Sequence, residues 1–190
     1  MIQDFLVDQE WKELLVQRGW PSGESWMKRD HFRHGISWHV PTQSLVNLLV
    51  SLSPIVSVGA GFAYTENLVL QHGGDIIATD LTPGSENKWC REGKAYMEVE
   101  ELEAAAAVSK YRDRNVFMAW PPYDDPMALH VAQRMGEGKF LVFVGEDYGG
   151  CTGNDDFFHY LTKEFQSLEV DADIPSWYGI HDYVYVYKKK

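Results

Sequence analysis

The sequence predicts an α/β protein: a three-layer sandwich around a mostly parallel seven-stranded sheet that ends in an antiparallel hairpin. Three observations carry that prediction. From residue 44 onward, short apolar runs alternate with helical patterns, as parallel strands joined by crossover helices do. Runs such as "FLVFV" (140–144) are apolar without alternation, which suits strands covered on both faces. The last two strand-like runs alternate in polarity and have no helix between them.

The elements follow in order. "SLVNLLVSL" (44–52) reads as a buried helix, and "PIVSVGAG" (54–61) as a strand that Pro54 begins and a glycine turn ends. "AYTENLVLQHGG" (63–74) is a helix stopped by Gly73 and Gly74, where glycine supplies the left-handed cap. "DIIATD" (75–80) is a short buried strand. "AYMEVE" (95–100) is the third strand, and alanine-rich "ELEAAAAVSKY" (101–111) is helical. "NVFMAW" (115–120) and "KFLVFVGE" (139–146) are the fourth and fifth strands, with a helix at 126–136 between them. "GNDDFFHYLTKEF" (153–165) is helical, and "SLEVDADI" (167–174) with "DYVYVYKK" (182–189) forms the closing hairpin. No repeat or linker interrupts the chain, so 1–190 is expected as one domain. Within it, 44–190 forms the sheet. Residues 1–43, with a helix at about 5–17 and the aromatic- and His-rich "WMKRDHFRHGISWHVP" (26–41), form a helical cap or lid.

Charge narrows the partners. Lys and Arg number 17 against 28 Asp and Glu, a net charge of -11, so stable duplex nucleic-acid binding by this chain alone is not expected. A local basic patch (Lys28, Arg29, Arg33, His34) can still meet an anionic ligand. The start "MIQDFLVDQEWKELL" lacks the order of a signal peptide, and no apolar run is long enough to span a bilayer. Cys90 and Cys151 give no disulfide framework, and His31, His34 and His39 match no metal spacing. A cytoplasmic protein without a metal or a membrane is expected.

Chemistry concentrates at two turns. In "VSVGAGFAYTE", Gly59 and Gly61 follow a strand and precede a helix, which permits a tight turn and a close backbone approach to a ligand. The next strand ends in Asp80, roughly 20 residues on, where a carboxylate can hold both hydroxyls of a ribose. With these features the segment from about 44 to the C-terminus resembles the class I S-adenosylmethionine-dependent methyltransferases, whose Rossmann-like sheet also ends in an antiparallel strand. That resemblance implies that Gly59, Ala60 and Gly61 lie against the methionine part of S-adenosylmethionine, that Asp80 holds the ribose, and that Leu81 packs near the adenine. The family often has an acid two residues before the first glycine and a third glycine after it. This chain has Ser57 and Ala63 there, so Ser57 offers a hydrogen bond without charge. Glu98 and Glu100 are both available to meet an adenine amino group.

The second turn is "FMAWPPYDDPMA" (117–128), at the carboxyl end of the fourth strand. In the amino-group methyltransferases it resembles, an Asn, Asp or Ser before the prolines and a proline carbonyl accept hydrogen bonds from the target amine, and the tyrosine stacks on a planar substrate. Trp120 stands at the first position and is a donor only, so it reads as a wall of the substrate pocket. The catalytic candidates are the Pro121 carbonyl, Tyr123 for stacking, and Asp124 as replacement acceptor or base. Asp125, before Pro126, reads as a helix cap. Glu146 after the fifth strand, and Trp38 and His39 from the lid, are further substrate-binding candidates. The Trp-Pro-Pro-Tyr-Asp-Asp and Gly-Gly-Cys-Thr-Gly stretches together resemble uncharacterised methyltransferase-like proteins of bacteria, their phages and some eukaryotes, which implies a fold with no substrate attached. The expected reaction is methyl transfer to N or O of a small or planar, nucleotide-like acceptor. A catalytically inactive interaction protein, or a nucleotide-binding enzyme of other chemistry, is the alternative.

Overall fold

The computed structural model describes residues 23–84, 86–91, 93–177 and 179–190; the helix expected at 5–17 lies outside them. The described chain begins with α1 (Gly23–Gly35), α2 (Gln43–Ser51), β1 (Ile55–Val58), α3 (Tyr64–Gln71), β2 (Ile76–Asp80), β3 (Val99–Glu101) and α4 (Ala104–Lys110). It continues with β4 (Asn115–Ala119), α5 (Met127–Arg134), β5 (Phe140–Gly145), α6 (Asp155–Glu164), β6 (Phe165–Leu168) and β7 (Tyr183–Lys189).

All seven strands join one sheet in the order β3-β2-β1-β4-β5-β7-β6. The first five pair in parallel, and β7 lies antiparallel between β5 and β6, as the closing hairpin required. Alternate side chains of each strand feed two cores. Val56, Val58, Met118, Leu141 and Phe143 pack under α4, α5 and α6. Ile55, Phe117, Val142 and Val144 point the other way, against α2 and α3. Two buried faces explain why "FLVFV" has no polar alternation. Caps set the helix starts: Thr42 Oγ1 accepts from Leu45 N, the Glu103 carboxylate from Ala105 N and Ala106 N, and Asn154 Oδ1 from Phe157 N. No described helix is long and apolar enough to cross a membrane.

Two elements differ from their sequence prediction. The third strand is only Val99–Glu101, because upstream Tyr96 N–H donates to the Phe62 carbonyl and draws the chain off the sheet edge. The sixth begins at Phe165, directly from α6, and ends at Leu168. Beyond it, Asp173 is held at the start of α2, its carbonyl accepting from Thr42 Oγ1 at 2.6 Å.

From β1 the chain first builds outward through β2 and β3, then returns to place β4 on the other side of β1. That reversal opens a crevice at the carboxyl ends of β1 and β4, the usual ligand position of such sheets.

Candidate functional site

A cavity of about 760 Å³ occupies this crevice. It is lined by the β1 turn, the end of β2, the Trp-Pro-Pro-Tyr turn and residues from α1 and its following loop. The volume falls in the ~300–1,000 Å³ range typical of ligand pockets.

One half is built from backbone. Gly59 and Gly61 have φ of +66° and +56°, values that L side chains rarely adopt. A Cβ on Gly59 would lie 3.0 Å from Met127 Cε, and one on Gly61 2.7 Å from Cys90 Sγ. Ala63 also takes the left-handed conformation (φ 55°) and stands at the N-cap of α3. Without a glycine, the turn therefore keeps the backbone shape that a glycine would give it. Asp80 pins the turn from β2: its Oδ2 accepts from Gly61 N at 2.9 Å, and its Oδ1 accepts from Thr82 N at 2.9 Å and Asn87 Nδ2 at 3.1 Å. Burial pushes the Asp80 carboxyl above its usual pKa, and the bonds from Thr82 and Gly61 oppose that rise. A carboxylate has about four acceptor sites, so one remains for a ligand. Leu81 lines the cavity and is 65% exposed, an apolar shelf beside Asp80.

At Ser57 a carboxyl arrives from another element. Ser57 Oγ donates to Glu66 Oε1 at 2.6 Å; both residues are buried and both line the cavity. Burial raises the Glu66 pKa to about 7, against the lowering effect of the Ser57 hydroxyl. Nothing local in the sequence announced this pair, because it depends on how the first turn of α3 packs over β1. Glu98 is exposed, and the Glu100 carboxylate accepts from Lys110 Nζ at 2.5 Å and Tyr111 Oη at 2.6 Å. Neither lines the cavity.

The other half is built from side chains on a strained turn. Trp120 (φ 51°) and Asp124 (φ 55°) both sit in the left-handed region, where a bulky side chain costs of order 1–3 kcal/mol. Their backbones are held by Trp120 N–H donating to Val144 O and Asp124 N–H to Gly153 O, each at 2.8 Å. Trp120 Nε1 donates to Asp182 Oδ2 at 3.1 Å, so the indole N–H is spent on a residue outside the cavity lining. Trp120, Pro121 and Tyr123 line the cavity, and Tyr123 is 69% exposed at its rim. The Pro121 carbonyl already accepts from Gly153 N at 3.2 Å, which leaves one lone pair. Asp124 is not brought to this cavity: it lines a separate polar depression with Gly149, Gly153 and Asn154. Asp125 does line the cavity, but its Oδ1 accepts from Met127 N at 2.9 Å at the start of α5. Glu146 is outside the lining as well. It organises the glycine loop, with Oε2 accepting from Cys151 N at 2.8 Å and Oε1 from His181 N at 2.9 Å.

The third wall comes from α1 and its following loop. Trp38 packs on Trp120 with ring centroids 5.7 Å apart and on Trp89 at the same distance, and its Nε1 donates to the Trp89 carbonyl at 3.3 Å. The Arg29 guanidinium lies 5.5 Å from the Trp120 ring centre and 5.9 Å from that of Trp38. His39 is buried, with Nε2 sharing a 2.9 Å hydrogen bond with Thr65 Oγ1. Burial lowers its pKa to about 4, so it is neutral at pH 7. Cys90 and Cys151 line the cavity as thiols, both with raised pKa, chiefly through burial.

No protein-family model matches the sequence, and no curated protein matches it. Among solved structures the chain is similar to magnesium protoporphyrin IX methyltransferase from Synechocystis PCC 6803 with bound SAM, at 12% identity over 92% of this chain and 100% of that one, TM-score 0.52. It is also similar to precorrin-6y C5,15-methyltransferase from Geobacter metallireducens GS-15, at 14% identity over 82% and 93%, TM-score 0.50. A third is the 1,6-didemethyltoxoflavin-N1-methyltransferase of Burkholderia thailandensis with bound 1,6-didemethyltoxoflavin and S-adenosylhomocysteine, at 10% identity over 76% of each chain, TM-score 0.51. At these identities the likeness speaks for the fold. The architecture is that of the Rossmann-like methyltransferases.

Proposed function

We propose that this chain binds S-adenosylmethionine and transfers its methyl group to N or O of a small planar acceptor. The observation that carries the reading is convergence. The glycine turn, Asp80 and the Trp-Pro-Pro-Tyr turn, far apart in sequence, line one cavity at the reversal point of the sheet. The donor set fits the cofactor. The left-handed backbone at Gly59 and Gly61 disfavours side chains there, the Asp80 carboxylate keeps an acceptor site for ribose hydroxyls, and Leu81 offers a face to adenine. Glu66 supplies, beside Ser57, the carboxyl that meets the methionine ammonium.

Bound there, S-adenosylmethionine would supply an electrophilic methyl on a sulfonium. The protein's contribution is orientation, which can be worth several kcal/mol of barrier. Trp120 and Tyr123 hold a flat acceptor, the remaining lone pair of the Pro121 carbonyl aims its N–H or O–H, and α1 with Trp38 and His39 closes over it as a cap. Asp124 serves the turn through its backbone, and Asp182 holds the indole of Trp120.

Titration calorimetry with S-adenosylmethionine, S-adenosylhomocysteine, NAD and ATP tests the reading. Heat with the two adenosyl-sulfur compounds is expected. Heat with NAD or ATP alone would move the site to another chemistry. A second reading, a non-catalytic member that keeps the cofactor, is favoured by one observation: Trp120 cannot accept, and the Pro121 carbonyl is half used. Labelled-methyl transfer to a fraction of cell extract excludes it.

A further inference from the structure

The two ends of the sheet are guarded differently. At one end, β3 carries Glu100 and Glu101, and charge on an edge strand discourages a further strand. At the other end among the described strands lies β6, whose residues Phe165, Gln166, Ser167 and Leu168 include neither a charge nor a proline. Its register with β7 is continuous, and Gln166 and Ser167 are exposed. The ladder fixes which backbone groups face outward. Lys190 N–H donates to Glu164 O at 3.0 Å, so those two form a hydrogen-bonded pair, from which the antiparallel pairs alternate. Gln166 and Leu168 therefore turn their N–H and C=O toward β7, and Ser167 turns both outward. Phe165 turns its C=O the same way, while its N–H donates to Leu161 O.

Charge and side-chain size around this edge suit a second copy of the same chain. Lys163, its side chain 81% exposed, and Lys190 flank the start of β6, against Glu164. Past its end come the exposed Glu169, Asp171 and Asp173, and 169–182 contains no lysine or arginine. An antiparallel copy related by a two-fold axis at Ser167 lays each basic end beside the other chain's acidic end, with Lys163 in register with Asp171. A net charge of -11 makes copies repel in general, and this orientation sets unlike charges together. Ser167 lies opposite Tyr187 of β7, so across the joined edges the row reads Tyr187, Ser167, Ser167, Tyr187. The small serines let the two strands approach, with a tyrosine ring on either side.

We infer that β6 is a self-association edge: two copies of this chain pair β6 to β6, antiparallel about a two-fold axis at Ser167, and join their sheets into one. The contact is isologous, each Ser167 N–H donating to the Ser167 C=O of the second copy. Only four residues of strand meet, so the dimer belongs to the weak class, with a dissociation constant on the order of 10 µM. No residue of β6 lines the cavity, so the dimer leaves the ligand crevice open and stands apart from the methyltransferase reading.

Sedimentation equilibrium of the full chain at concentrations up to about 200 µM should show a monomer–dimer equilibrium. Ser167→Pro removes the outward N–H and no bond of the β6–β7 ladder, as proline allows on an edge. It should weaken dimerisation at least about tenfold and leave the far-ultraviolet circular dichroism unchanged. Should Ser167→Pro not fold, charge exchange decides: Lys163→Glu and Asp171→Lys should each weaken the dimer severalfold, and the double variant should restore it. A monomer at every concentration overturns the inference. So does a dimer that survives Ser167→Pro, or a double charge variant no better than either single one.

Discussion

The two halves of the cavity are made by different means. The half to which we assign the cofactor is made of backbone: left-handed glycines, and amide N–H groups tied to Asp80 within a βαβ unit. The half to which we assign the acceptor is made of long side chains held by partners far along the chain, with Trp120 fixed by Asp182 and flanked by Trp38 and Arg29. A backbone cradle tolerates little change and commits to one ligand shape. A side-chain wall can be rebuilt for a different acceptor without disturbing the sheet beneath it.

The largest effect should come from breaking the cradle. Gly61→Ala forces a left-handed alanine with its Cβ 2.7 Å from Cys90 Sγ. At a cost of ~1–3 kcal/mol, S-adenosylhomocysteine affinity should fall by up to about a hundredfold in calorimetry. An affinity within twofold of wild type would show that the ligand does not use this turn. Asp80→Ala comes next, with a loss of about 1–3 kcal/mol in the same titration, since it removes the proposed acceptor of ribose hydroxyls and frees the Gly61 N–H.

Glu66 gives a pH signature. A ligand ammonium prefers the ionised carboxyl, so wild-type affinity should fall as pH drops through about 7, approaching tenfold per unit below it. Glu66→Gln should flatten that profile. Stability carries the opposite sign. A folded-state pKa above the unfolded value means the contribution is fully present below pH ~4.5 and is lost as pH rises through about 7. Glu66→Gln should therefore raise Tm at pH 8 and leave it unchanged at pH 4.5. If wild-type and variant profiles run parallel, Glu66 is not the ammonium's partner.

On the acceptor side, Tyr123→Ala should spare both Tm and S-adenosylhomocysteine affinity, because its ring is mostly exposed, and should lower methyl transfer. Unfolding by this variant would assign the tyrosine to the core. Asp124→Ala should be the mildest, with turnover within about twofold of wild type, because its side chain faces a different depression.

Legibility in the sequence follows the same division. Apolar runs and the glycines at 73 and 74 act within a few residues, so the order and type of the sheet's elements could be read directly. Ser57 offered a hydrogen bond without charge in the sequence, because its meeting with Glu66 is a packing event between β1 and α3. Glu146 and Asp124 carried the right chemistry at the right edge of the sheet. Their directions were set by His181, Cys151 and Gly153, contacts that no local pattern encodes. Asp182 and the placement of Arg29 were hidden for the same reason.

The most direct test of the central claim is a crystal structure with S-adenosylhomocysteine. The ribose hydroxyls should lie within hydrogen-bond distance of Asp80, the ammonium should face Glu66, and the sulfur should point toward Trp120 and Pro121. A ligand bound elsewhere, or a ribose turned away from Asp80, would contradict it.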